Sequence, residues 1–194
     1  MEWILRIFIH KKKDDAIFRV IFVGNLCFRK GSHYLLRALN ELKLPNFEFF
    51  HVGPVSEEMT EFINSNAPKN FFFHGKQPQE NLIKYYAQSS VFCLPSLEEG
   101  LAMVQVQAMA CGLPIICTPN AGAEDLITDG VEGFLIPIRN VEALKEKISF
   151  LYKNTDICSA MGKAASNRVQ SSFTWSDYGK SMIEKYAEIL SNPL

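Results

Sequence analysis

Little net charge and few signature motifs mark this chain of 194 residues. Its 20 Lys and Arg against 21 Asp and Glu leave a formal charge of -1. Nucleic-acid binders usually carry a basic stripe, so that balance argues against nucleic acid as the principal partner. The five cysteines, Cys27, Cys93, Cys111, Cys117 and Cys158, include no Cys-x-x-Cys pair. Odd in number and set mostly inside apolar runs, they read as buried thiols in a reducing compartment, which implies the cytoplasm. The four histidines, His10, His33, His51 and His74, have no metal-ligand spacing with cysteines or carboxylates, so no metal is expected. No Ser/His/Asp set, nucleophile elbow or Gly-x-Gly-x-x-Gly fingerprint appears, and there is no internal repeat. The apolar start, Met1 to His10, precedes its basic run Lys11 to Lys13 instead of following it, and it is too short for a signal peptide.

What is present is the composition of a globular domain: 47% hydrophobic, 12% aromatic and 21% charged residues. The length fits one large domain. Residues 1–16 match no clear element and read as a linker or the remnant of a preceding domain, which leaves 17–194 as the domain proper. From Phe18 onward short apolar runs alternate with helical patterns. Phe18 to Val23, Phe47 to Val52, Phe71 to Phe73, Val91 to Leu94, Pro114 to Cys117 and Gly133 to Ile136 are strand candidates. Between them lie helix candidates at Ser32 to Leu44, Ser56 to Asn64 and Gln79 to Gln88, after Gly100, and around Ala123 to Ile127, with Ser32 and Ser56 placed to cap. Three further helices are expected after Pro137, the last opened by Thr174 with Asp177 three residues on.

Runs that are apolar throughout, rather than alternating, suit strands covered on both faces. The fold class is therefore α/β, a doubly wound parallel sheet of about six strands with additional C-terminal helices. In such sheets ligands lie beyond the carboxyl ends of the strands. The stretch Pro95 to Pro119 stands on that rim: a strand end, two carboxylates, Gly100, then a helical segment that stops at Gly112 and Pro114. A helix opening directly after Gly100 would aim unpaired amides and a positive dipole end at an anion. An ordinary βαβ crossover explains the same pattern.

Five pieces then fall in order: Phe22-Val-Gly-Asn-Leu-Cys-Phe-Arg-Lys-Gly31, Phe72-Phe-His-Gly75, Pro95-Ser-Leu-Glu-Glu-Gly100, Gln107-Ala-Met-Ala-Cys-Gly-Leu-Pro114 and Asp125-Leu-Ile-Thr-Asp-Gly-Val-Glu-Gly133. This series resembles the C-terminal, donor-binding domain of group 1 retaining glycosyltransferases, which have the GT-B arrangement of two Rossmann-like domains. The resemblance covers nearly everything from Phe18 onward. It implies a nucleotide-diphosphate-sugar donor, no bound metal or other cofactor, and an acceptor sugar, lipid or small molecule held by an N-terminal domain. Any membrane association would come through that missing part.

Residue by residue, the resemblance makes Lys30 the cation on the donor diphosphate and Glu99 the contact to the transferred sugar. Gly24, Asn25, Arg29, Gly53, His74, Gly75, Ser96, Gly100, Leu101, Ala102 and Gln107 are the remaining substrate-binding candidates. The amides of Gly100 and Leu101 are assigned to phosphate, and His74 with Gly75 to the base pocket. Two positions depart from the family. Asn25 stands where an Arg is usual, which removes a fixed fork unless Arg29 reaches in. Gln107 stands eight positions after Glu99, where a second glutamate would receive the ribose diol. An amide can still pair with a diol but without the charge. These departures keep open a non-catalytic binding or scaffold module, and a nucleotide-sugar epimerase is a third, weaker reading.

Overall fold

The computed structural model describes residues 16–173 and 175–191. The proposed linker, apart from Ala16, and Thr174 of the expected cap lie outside the described residues. Six parallel strands form one sheet: β1 (Phe18–Val23), β2 (Phe47–Val52), β3 (Phe71–Phe73), β4 (Val91–Leu94), β5 (Ile115–Cys117) and β6 (Gly133–Leu135), in spatial order β3-β2-β1-β4-β5-β6. Every residue of β1, β4 and β5 is buried. Their unbroken apolar runs are thus explained by cover on both faces, and each fully buried Phe, Ile or Leu contributes about 1.5–3 kcal/mol of transfer free energy.

The helices are α1 (Ser32–Leu42), α2 (Thr60–Asn66), α3 (Leu82–Ala87), α4 (Met103–Ala110), α5 (Val141–Lys153), α6 (Thr155–Ser172) and α7 (Trp175–Ser191). The chain moves leftward from β1 through α1 to β2 and rightward from β4 through α4 to β5. With right-handed crossovers those two helices cover opposite faces. α1 packs with α2 and α5 on one side, and α4 packs with α6 on the other. No helix among the described residues is long and apolar enough to cross a membrane.

Three local expectations are corrected. Gly31, in the left-handed region at φ 64°, occupies the N-cap of α1, while the Ser32 hydroxyl accepts the Cys27 amide. Ser56 caps nothing with its side chain and instead accepts the Asn25 amide at 2.9 Å. The helix of the Pro95–Pro119 stretch opens at Met103 with Ala102 as its N-cap, so Gly100 and Leu101 belong to the loop before it.

Candidate functional site

Strand order reverses between β1 and β4, because consecutive strands run outward from that pair in both directions. The loops leaving the two strands therefore diverge and open a crevice at their carboxyl ends. After β1 the chain passes Gly24 and a 3-10 turn, Phe28–Lys30, to Gly31. After β4 it passes Pro95, Ser96 and the two glutamates to Gly100. Lys30 and Glu99, drawn from these two loops, meet with Nζ to Oε2 at 2.6 Å, their side chains 13% and 19% exposed.

Backbone contacts explain why the pair is so well placed. The Leu97 amide donates to the Arg29 carbonyl at 2.9 Å, and the Arg29 guanidinium donates to the Glu98 carbonyl at 2.6 Å. Arg29 Nη1 also stands 3.7 Å from Glu99 Oε2. The Glu99 amide donates to the Asn120 carbonyl, and the Asn120 side chain donates back to the Leu97 carbonyl. Gly31 lies so close to Pro95 that a Cβ there would stand 1.8 Å from the Pro95 carbonyl oxygen. These contacts staple the two loops into one unit.

Lys30 lies over Gly24, where an added Cβ would meet its Nζ at 3.4 Å. Gly24 is held in turn from below. The fully buried His51 of β2 donates from Nε2 to the Gly24 carbonyl at 2.9 Å, and burial pulls the pKa of its imidazole down to about 4. The ring is neutral at pH 7, with the proton on Nε2. Gly53 approaches the same carbonyl closely enough that a Cβ would stand 2.1 Å from it.

The other sequence candidates divide. Asn25 spends its amide on Ser56, and its Oδ1 is buried without a protein partner. Ser96 Oγ is buried and likewise unpartnered, while its carbonyl accepts the Thr118 hydroxyl. At Gly100 a Cβ would project into open space. Leu101 is exposed and Ala102 is buried. His74 and Gly75 follow β3, two strands away from the switch point. The His74 ring packs against Phe50 and Tyr85, and burial followed by the Lys84 charge lowers its pKa. Gln107 is turned into the fold: its Oε1 accepts the hydroxyl of the buried Tyr86 at 3.3 Å.

Sequence reasoning missed His51, Asn120 and Gln105 as supports. Gln105 is fully buried and donates to the Ala121 carbonyl at 2.6 Å, tying α4 to the turn that carries Asn120. A polar residue inside an apolar run was the one available signal for His51. A separate cavity of about 770 Å³, lined in part by Phe18, Ser90, Leu113 and Lys163, lies at the opposite ends of the strands and shares no residue with the crevice.

Fold and crevice together define a doubly wound, Rossmann-like domain with a charged pair at its topological switch point. Residues 5–168 match the profile described as Glycosyl transferases group 1, and the chain belongs to that family. An uncharacterised glycosyltransferase of Haemophilus influenzae is 32% identical over 183 residues, covering 88% of this chain and 48% of that protein. Sucrose-phosphate synthase from Thermosynechococcus elongatus superposes with a TM-score of 0.79 at 25% identity, over 91% of this chain and 46% of its own. Anabaena HepE, solved with UDP-glucose, gives 0.77 at 22% identity over 89% and 49%. These neighbours have the GT-B fold, and the chain spans about half the length of the curated relatives it matches.

Proposed function

We propose that this chain is the donor-binding, C-terminal half of a retaining glycosyltransferase acting in the cytoplasm. A nucleotide diphosphate sugar lies across the switch-point crevice, and an acceptor sugar, lipid or small molecule is presented by an N-terminal domain. The observation that carries this reading is the convergence of Lys30 and Glu99 from the two loops flanking the reversal of strand order. Support comes from the family match and from a structural neighbour solved with UDP-glucose.

The chemistry rests on charge. When the bond between the anomeric carbon and the diphosphate breaks, its electron pair stays on the diphosphate, which gains negative charge as it leaves. Lys30, 13% exposed and lying over Gly24, is the cation that answers that charge. The amides of Gly100 and Leu101 offer donors at the open side of the loop, and Glu99 accepts from hydroxyls of the sugar. No metal or other cofactor is assigned a role.

Calorimetry with uridine, guanosine, adenosine and thymidine diphosphates and their sugars tests the reading. Binding by one of these series is expected, with Glu99→Ala weakening discrimination among sugars. No binding at millimolar ligand would sink it. A second reading, a binding or scaffold module without transfer, is favoured by one observation: Asn25 and Gln107, the two departures from the family, are both engaged inside the fold. Transfer activity once an acceptor domain is supplied separates the two, and the chain alone is expected to show none.

A further inference from the structure

We propose that the Lys30–Glu99 ion pair is a latch that sets selectivity for an intact nucleotide sugar over a bare nucleoside diphosphate. The proposal rests on the donor-site reading above. The group assigned to the diphosphate and the group assigned to the sugar pair with one another at 2.6 Å. A ligand that takes Lys30 must therefore separate them.

The cost of separation depends on what else the ligand brings. A bare diphosphate claims the ammonium and leaves the Glu99 carboxylate facing a new anion, in a site where that side chain is 19% exposed. Splitting a largely desolvated pair so that one charge stands unpaired is costly, and the like charge adds to the cost. A nucleotide sugar brings hydroxyl donors that occupy the carboxylate as Lys30 turns to the phosphates. Glu99 thus opposes one ligand and helps the other.

The surroundings leave Glu99 little alternative. Its amide is fixed to the Asn120 carbonyl at 2.9 Å, so the backbone is held while the carboxylate turns. Among the described residues Arg29 is the other cation paired near Glu99, but its guanidinium is committed to the Glu98 carbonyl and stands 3.7 Å away with half of its side chain exposed. It is a poor substitute for Lys30. In a product complex the same conflict favours departure of the spent nucleotide.

Two measurements test the latch, each using whichever nucleoside diphosphate the calorimetric panel selects. In the wild-type chain, a saturating free monosaccharide supplies hydroxyls to Glu99 and should raise affinity for the bare diphosphate several-fold, with reciprocal coupling of the sugar to the nucleotide. In Glu99→Gln, affinity for the bare diphosphate should rise about tenfold while affinity for the nucleotide sugar does not, so the ratio between them narrows. The gain should shrink when Lys30→Ala is added, because the freed ammonium is its main source.

Thermal melting is the check that each variant folds, and the wild-type coupling experiment needs no variant at all. If the monosaccharides tried (glucose, galactose, mannose and N-acetylglucosamine) all leave diphosphate affinity unchanged, and Glu99→Gln binds it no tighter, the ion pair is only structural and the latch is overturned. Absence of any nucleotide binding by the wild-type chain is a different failure, since it removes the donor-site reading itself.

Discussion

His51 offers a quantitative probe of how the floor of the crevice is held. Its imidazole is buried in β2 with Nε2 donating to the Gly24 carbonyl, and burial lowers its pKa from 6.5 to about 4. In the unfolded chain the ring gains a proton below its ordinary value, whereas in the folded chain it does so only near 4. Between those values the unfolded state binds more protons, so stability is full above 6.5 and falls as pH drops through the window. Linkage over that shift amounts to about 2 kcal/mol lost between about pH 7.5 and pH 5, rising to about 3 kcal/mol below about 4.

Urea unfolding at the two pH values measures the loss, which with slopes of roughly 1–3 kcal/mol/M corresponds to a midpoint change on the order of 1 M. Carboxylates also titrate in this range, so the comparison must be made with His51→Phe. Phenylalanine suits a site already bordered by Phe22, Phe71 and Phe73. It cannot titrate, and it leaves the Gly24 carbonyl without this donor, for a constant penalty of about 1–3 kcal/mol at both pH values. The variant should be the weaker protein at about pH 7.5 yet lose about 2 kcal/mol less on acidification than the wild type. Equal losses in the two proteins would refute the assignment of His51 as a buried neutral donor.

Gly31→Ala places a Cβ 1.8 Å from the Pro95 carbonyl at a residue with φ 64°. Left-handed strain and overpacking together cost about 2–4 kcal/mol, which calorimetry should register as a Tm lower by roughly 5–15 °C; an unchanged Tm would remove the claim that the two loops are in contact there. Gln107→Glu puts a carboxylate beside the Tyr86 hydroxyl at a buried position. It should destabilise the fold by about 1–3 kcal/mol at about pH 7.5 and by less at about pH 5, without tightening nucleotide binding. Tighter binding would mean that the side chain leaves Tyr86 to face a ribose. Lys30→Ala should weaken nucleoside diphosphate binding by roughly ten- to a hundredfold, the worth of a charge-assisted hydrogen bond, and undiminished affinity would take Lys30 out of the site.

Sheet topology is readable because apolar runs such as Phe18–Val23 and Val91–Leu94 leave no solvent face, and only parallel strands covered on both sides tolerate that. The same logic locates the rim and, with the ordered motifs, nominates the two residues that meet in the crevice. The start of α4 is not legible, because Leu101 and Ala102 are as compatible with a helix as with a loop; the position of the first turn is decided by tertiary bonds such as Glu99 to Asn120. Residue type marks Ser32 and Ser56 as caps, but a hydroxyl bonds whatever lies nearest, and here the Cys27 amide and the Asn25 side chain take them. The direction in which Gln107 points is a matter of helix rotation against Tyr86, a contact between α3 and α4 that no local pattern encodes.

The pairing of β1 with β4 extends over only Val20 with Val91 and Ile21 with Phe92, whereas β1 and β2 register along the whole of Phe18–Val23. The sheet is two three-stranded leaves joined along this short ladder, which the Ser90 amide extends by donating to the Arg19 carbonyl. Beyond that ladder the leaves are tied by the Leu97 to Arg29 bond and the Lys30–Glu99 pair. A ligand gripping both loops would rivet the leaves together, and its binding should register far from the contact, as slower amide exchange along the inner strands on each side of the join.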